Sequence, residues 1–140
     1  MMKNPEYQRK AQSLVEVALS FSIILFLMLA MIDFGFAFLH WITLRDAADE
    51  GVTYGTLHPG TGCDASLQNW VRSSASSNMI DLSAAVVGIN YSSRLAGGRV
   101  TVTVTDSYHI LTPMVSKVTG ANLTITARAS GTVLQQGACP

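Results

Sequence analysis

The amino-acid sequence predicts an α+β protein: a long N-terminal helix, a short second helix, and a small three-stranded antiparallel sheet packed on the outer half of the long helix. Three observations carry this reading. A strongly apolar run whose only formal charge is Asp33 extends from Val17 to Ile42. A His58-Pro59-Gly60 break closes the helical pattern that follows it. Beyond the break, segments of alternating valine and threonine have the two-residue period of strands.

The first element is the long helix, residues 12–57. Val17 to Leu39 covers roughly 34 Å at about 1.5 Å per residue, enough to cross a bilayer core with some tilt. A secretory signal has a shorter apolar region and a small-x-small cleavage site after it, and nothing here matches that. Residues 17–39 therefore read as one membrane span. Lys3, Arg9 and Lys10 precede it, whereas Asp46, Asp49 and Glu50 follow it with only Arg45 opposing. The positive-inside rule then makes residues 1–11 a cytoplasmic leader and sends residues 58–140 out as an extracytoplasmic domain. "WITLRDAADEGVTYGTL" carries the helix on to Leu57, where Ala47, Gly51 and Gly55 recur every four residues. Such a stripe lets another element approach the backbone closely.

After the break, Leu67, Trp70, Val71, Ser74 and Asn78 fall at helical spacing, with Asp64 as N-cap, and predict a helix over 65–79. Strands follow at 84–93 and 99–110, joined through "RLAGG" as a hairpin, and at 122–134. Val100, Val102 and Val104 share one face, and Thr101, Thr103 and Thr105 the other. The third strand repeats the pattern with Leu123, Ile125 and Ala127. "LTPMVSKVTG" between the last two strands reads as a loop or a short helical excursion.

Composition and motifs narrow the chemistry. Net charge is zero, which leaves no basic surface for nucleic acid. "PGTGCD" lacks the lysine of a phosphate cradle. The histidines, Cys63 and Asp64 show no ligand spacing, and no nucleophile-and-base arrangement stands out. The expectation is a protein that is not an enzyme, with no cofactor and no metal. Cys63 and Cys139, far from any CxxC pattern, are compatible with one disulfide in an oxidising compartment. Closing that loop of about 76 residues contributes on the order of 4 kcal/mol.

"AQSLVEVALSFSIILFLMLAMIDFGFAFLHWITLRDAADEGVTYG" (Ala11–Gly55) combines Q-S-x-V-E-x-A-L, an apolar run, a D-F-G element and an A-x-E-G-x-x-Y-G ending. In that order it resembles the TadE/TadG-like family, pilin-like proteins of tight-adherence (Flp, type IVc) pilus systems. "TVTVTDSYHILTPM" resembles, more loosely, the family's second strand and turn. Three positions depart from the family's pattern. Ala11 stands where glycine is usual before Q-S, Ser22 where a proline often lies, and Phe36 where an arginine commonly follows D-F-G. Without the proline a straighter helix is expected.

The resemblance implies a structural subunit, processed by a prepilin peptidase between Ala11 and Gln12 at the Gln12-Ser13 pair, then assembled into a surface filament through its apolar helix. The cut makes Glu16 the fifth mature residue. A carboxylate at the edge of an apolar helix bundle is costly unless paired, and the new α-amino group of an adjacent subunit is a suitable partner. Asp33 has two readings, the outer end of the span or a polar contact to a neighbouring helix. The implied partners are other copies or other pilin-like subunits, the inner-membrane assembly platform, the peptidase and the membrane itself. The implied location is the cytoplasmic membrane, N-terminus in, and then the cell surface. The alternative is an uncleaved bitopic scaffold of the pilus or secretion apparatus, which needs neither Gln12-Ser13 nor Glu16.

Overall fold

The computed structural model describes residues 5–75 and 80–134. Its elements run α1 (Pro5–Leu57), α2 (Asp64–Ala75), β1 (Val86–Tyr91), β2 (Arg99–His109), α3 (Pro113–Thr119) and β3 (Asn122–Thr132). The fold class expected from the sequence is the one observed. α1 is continuous over 53 residues and reaches back to Pro5, through the Ala11–Gln12 position.

α1 meets two environments. On the sheet side its buried positions are Asp33, His40, Leu44, Ala47, Ala48, Gly51, Val52, Gly55 and Thr56, a stripe spaced by threes and fours as one helix face requires. Between Gln12 and Ile32 only Leu29 and Ala30 are partly covered, and every other side chain is exposed. The folded domain thus grips the helix from Asp33 outward and leaves the inner half bare.

The sheet has order β1-β2-β3, antiparallel throughout. Val87 faces Val104 and Ile89 faces Val102 across the first pair; Val102 faces Ala129 and Val104 faces Ala127 across the second. This register puts one apolar face on the helix: Val100, Val102 and Val104 are fully buried, with Ile125, Ala127 and Ala129 beside them. The threonines take the other face, as period two demands. In the β1–β2 connection Gly97 has φ of +89°. Its N–H donates to the Val133 carbonyl, and the Val133 N–H donates back to Gly98 (2.9 and 2.7 Å). The hairpin tip is thereby tied to the end of β3.

Several details depart from the sequence reading. Trp70 does not join the buried face of α2; Leu67 and Val71 are fully buried, and Trp70 is half exposed, stacked on Tyr54 at 5.5 Å. Asp64 is not the cap: the Leu67 N–H donates to the Cys63 carbonyl at 2.9 Å, so the helix starts from Cys63, and the Asp64 carboxylate binds Arg94. α2 is described to Ala75, and Asn78 lies outside the described residues. Leu123 is exposed at the start of β3. The "LTPMVSKVTG" segment contains α3, with Pro113 in its first turn, where a missing N–H costs nothing.

The stripe's small residues decide how close helix and sheet come. A Cβ added at Gly51 would lie 2.6 Å from Val71 Cγ2 and 3.1 Å from Val102 Cγ1. At Gly55 it would lie 3.0 Å from the Tyr91 hydroxyl and 3.1 Å from Leu67 Cδ1. Glycine in a helix costs about 1 kcal/mol against alanine, and contact with both α2 and β2 offsets that. Gly51→Val is therefore expected to destabilise the domain by about 1–3 kcal/mol through overpacking. Gly35→Ala, where nothing lies within 4 Å, is expected to be neutral or stabilising. Thermal unfolding of the detergent-solubilised full chain, followed by near-UV circular dichroism, checks the pair.

Candidate anchoring and assembly surface

The inner half of α1 is apolar all round. Gln12–Leu57 contains an 18-residue window with mean hydropathy 2.5, none of it buried within the molecule. Leu14, Val17, Phe21, Ile24, Leu27 and Met31 are all more than half exposed. In water this surface is unfavourable by the hydrophobic cost of every such side chain, so the helix is consistent with membrane anchoring. Ser22 is satisfied locally: its Oγ donates to the Ala18 carbonyl at 2.8 Å. Gln12, Ser13 and Glu16 lie exposed on this half, Glu16 one turn beyond Gln12, and Ala11 lies on the same helical backbone.

At the junction, Asp33 is turned inward. It is 5% exposed. Oδ1 accepts the Leu111 N–H and Oδ2 accepts the Thr112 N–H, each at 3.2 Å. Thr112 is the N-cap of α3 and its own side chain makes no capping bond. The carboxylate thus satisfies two turn amides that would otherwise be orphaned at this depth. The partners Asp33 finds within the chain are backbone amides of the sheet domain, a contact that neither sequence reading included.

Two turns outward, His40 Nε2 lies 3.0 Å from Asp106 Oδ2, with both side chains largely buried. A carboxylate only accepts, so Nε2 carries the proton. Tyr108 packs its ring against His40 at 5.8 Å, and its buried hydroxyl finds no hydrogen-bond partner among the described residues. Burial, and then the charge of Asp33, push the Tyr108 phenol above its ordinary range. Asp33, His40, Asp106 and Tyr108 form a polar seam between α1 and the lower end of β2. On the exposed side of α1, Phe34, Phe38 and Trp41 stack at 6.5 and 5.8 Å, and the Arg45 guanidinium lies 5.8 Å from the Trp41 ring centroid.

The outer end holds a second polar node. Arg94 donates to the carbonyls of Pro59 and Gly60 at 3.0 and 2.9 Å, and to both Asp64 oxygens at 3.1 and 2.8 Å. Its guanidinium also lies 4.1 Å from the Tyr91 ring centroid. One arginine therefore holds the helix-breaking loop against the hairpin. Burial raises the Tyr91 phenol above its usual range; Arg94 opposes the shift and Asp64 adds to it. Cys63 is fully buried beside this loop, and Cys139 lies outside the described residues. Ala47, Gly51 and Gly55 are buried under α2 and the sheet. Among the described residues no three His, Cys, Asp or Glu side chains converge on a metal-sized site.

A family profile described as "TadE-like protein" matches residues 11–53. This segment is a TadE-like domain. The TadE-like segment covers the bare half of α1, the Asp33 junction and the stripe as far as Thr53, so it is the helix that carries the relationship. Over this segment the chain is similar to TadE-like proteins, and the segment is the apolar N-terminal helix. No curated protein and no solved structure matches the chain.

Sequence reasoning singled out Asp33 but looked for its partner on another helix, and it missed the His40–Asp106 pair and the Arg94 node entirely. Leu111 and Thr112 follow Asp33 by nearly eighty positions and contribute only backbone N–H groups, which every residue has. His40 and Asp106 are alike unremarkable in their local sequence.

Asp33→Asn leaves one acceptor for two donors and is expected to cost about 1–3 kcal/mol through the orphaned amide. Hydrogen exchange at Leu111 and Thr112 should quicken while exchange in the middle of β2 stays slow. For Tyr91 and Tyr108 the folded pKa lies above the unfolded value. Their contribution is complete below about pH 10 and is lost as pH rises through the folded values. Absorbance titration at 295 nm should show late-ionising phenols, and denaturation midpoints should fall above pH 10.

Proposed function

We propose that this chain is a pilin-like structural subunit of a tight-adherence (Flp, type IVc) pilus. It enters the cytoplasmic membrane with its N-terminus inside, is cut between Ala11 and Gln12 by a prepilin peptidase, and is assembled into a surface filament through α1. The observation that carries this reading is the division of α1 at Asp33: a TadE-like helix whose inner half is apolar, exposed on every side and free of its own domain. Such a surface is stable in lipid, and it is stable equally against copies of itself. Leaving the membrane for a filament core exchanges lipid contact for helix packing.

Glu16 then has a defined task. After cleavage at Ala11–Gln12 the new α-amino group of a neighbouring subunit is the cation that a carboxylate at the edge of an apolar bundle requires. Pairing sets the axial register between subunits. The partners of this reading are other copies or other pilin-like subunits, the peptidase and the inner-membrane assembly platform. Outside the cell a Cys63–Cys139 disulfide ties the C-terminal tail to the loop that Arg94 holds. The second reading, an uncleaved bitopic scaffold, is favoured by one feature: α1 runs unbroken through the Ala11–Gln12 position.

Intact masses separate the two. In sheared surface filaments the expected species begins at Gln12 and is lighter than the reduced chain by two thiol hydrogens. A full-length species confined to the membrane fraction selects the scaffold. Glu16→Ala should abolish or strongly reduce the filament-borne species while the membrane-inserted level stays near wild type; filaments assembled as well as wild type would remove the register role.

A further inference from the structure

We propose that, while the chain is anchored, the inner rim of its folded domain is seated in the outer leaflet of the membrane, with Leu111 and the neighbouring Phe36 and Leu39 covered by lipid. The inference rests on the membrane reading of α1 and adds a second, non-helical contact to it.

Height comes first. From Val17, where the charge-free span begins, to Asp33 the helix rises about 24 Å at roughly 1.5 Å per residue, which brings Asp33 to within about one helical turn of the outer edge of a bilayer's ~30 Å hydrocarbon core. Asp33 therefore lies near the outer boundary of that core. Its carboxylate is bonded directly to the N–H groups of Leu111 and Thr112, which fixes the β2–α3 turn at the same height. The Leu111 side chain, 65% exposed, is then placed where hydrocarbon meets headgroup.

Continuity comes second. The exposed apolar surface of α1 does not stop at Asp33 but runs on through Phe34, Phe36, Phe38 and Leu39. Phe36, Leu39, Ile42 and Leu111 share a groove of about 620 Å³ between α1 and the lower end of β2. The same groove carries Ser107, Asp81 and His109, polar side chains suited to the headgroup layer. The stacked Phe34, Phe38 and Trp41 stand at the level where aromatic side chains concentrate in membrane proteins.

Electrostatics removes the objection. A free carboxylate at Asp33 would hold this level of the helix in water. Both its oxygens are occupied by amides of the domain, and the side chain is buried, so the lipid-facing side of α1 carries no charge from Val17 through Leu39. The bond that seats the turn on the helix is also what makes the rim compatible with lipid.

The test uses the full chain in native membranes with a photoreactive residue at one position: Phe26→p-benzoylphenylalanine within the span, Leu111→p-benzoylphenylalanine on the rim, and Leu95→p-benzoylphenylalanine on the exposed hairpin tip. After irradiation, intact mass reads phospholipid adducts. The expected result is comparable lipid adduct at Phe26 and Leu111 and its loss at Leu95. Adduct at Phe26 with none at Leu111 overturns the seat and leaves the anchor intact. A Leu111 adduct to a second protein chain in place of lipid also overturns it, since a neighbouring subunit would then be the cover. Absence of lipid adduct at Phe26 overturns the anchor and the seat together.

Discussion

One helix serves two solvents, and the molecule is organised around where the change happens. Below Asp33 the side chains of α1 are exposed all round apart from the partly covered Leu29 and Ala30; above it, one stripe forms the wall of a core. The junction is held by a carboxylate on two backbone amides. This is an inexpensive way to stop a sheet domain sliding along a smooth helix, because amide donors have fixed positions and the two carboxylate oxygens take one each. The stripe above then fits in only one register.

That register is a matter of volume. Gly51 and Gly55 admit the valines of β2 and the side chains of α2 to within contact of the helix backbone, and Gly131 of β3 makes the reciprocal allowance: a Cβ there would meet Val52 Cγ1 at 2.5 Å. Small residues on both sides bring helix and sheet together without deep interdigitation. The valine face, the Ala47–Ala48 pair and the glycines are consequences of a single short separation. The core is thin, and polar contacts flank it at its two ends: the largely buried His40–Asp106 near the junction and the partly exposed Arg94–Asp64 beyond the break.

The relation to function follows from this division. A filament or a bilayer each asks for an apolar rod that projects clear of its own domain. The structure supplies such a rod over about 30 Å, and keeps Glu16 exposed near its inner end. The domain's grip on the outer half leaves that rod undisturbed, because no contact needed for folding is drawn from it.

The sequence by itself determined the long helix, its break at His58-Pro59-Gly60, the strands with their valine and threonine faces, and the four-residue spacing of Ala47, Gly51 and Gly55. Each of these is written in local periodicity, turn chemistry or hydropathy, which act over a few residues. Trp70 shows the limit of that reasoning: its spacing fits the apolar face of α2, yet Tyr54 draws it to the edge. Only the tertiary structure decided that Asp33 is bonded to Leu111 and Thr112, that His40 meets Asp106, and that Arg94 spans the loop. Those partners are distant in the chain, and several are backbone groups common to every residue. Their pairing exists only once the sheet has taken its register on the helix, so no local pattern could announce it.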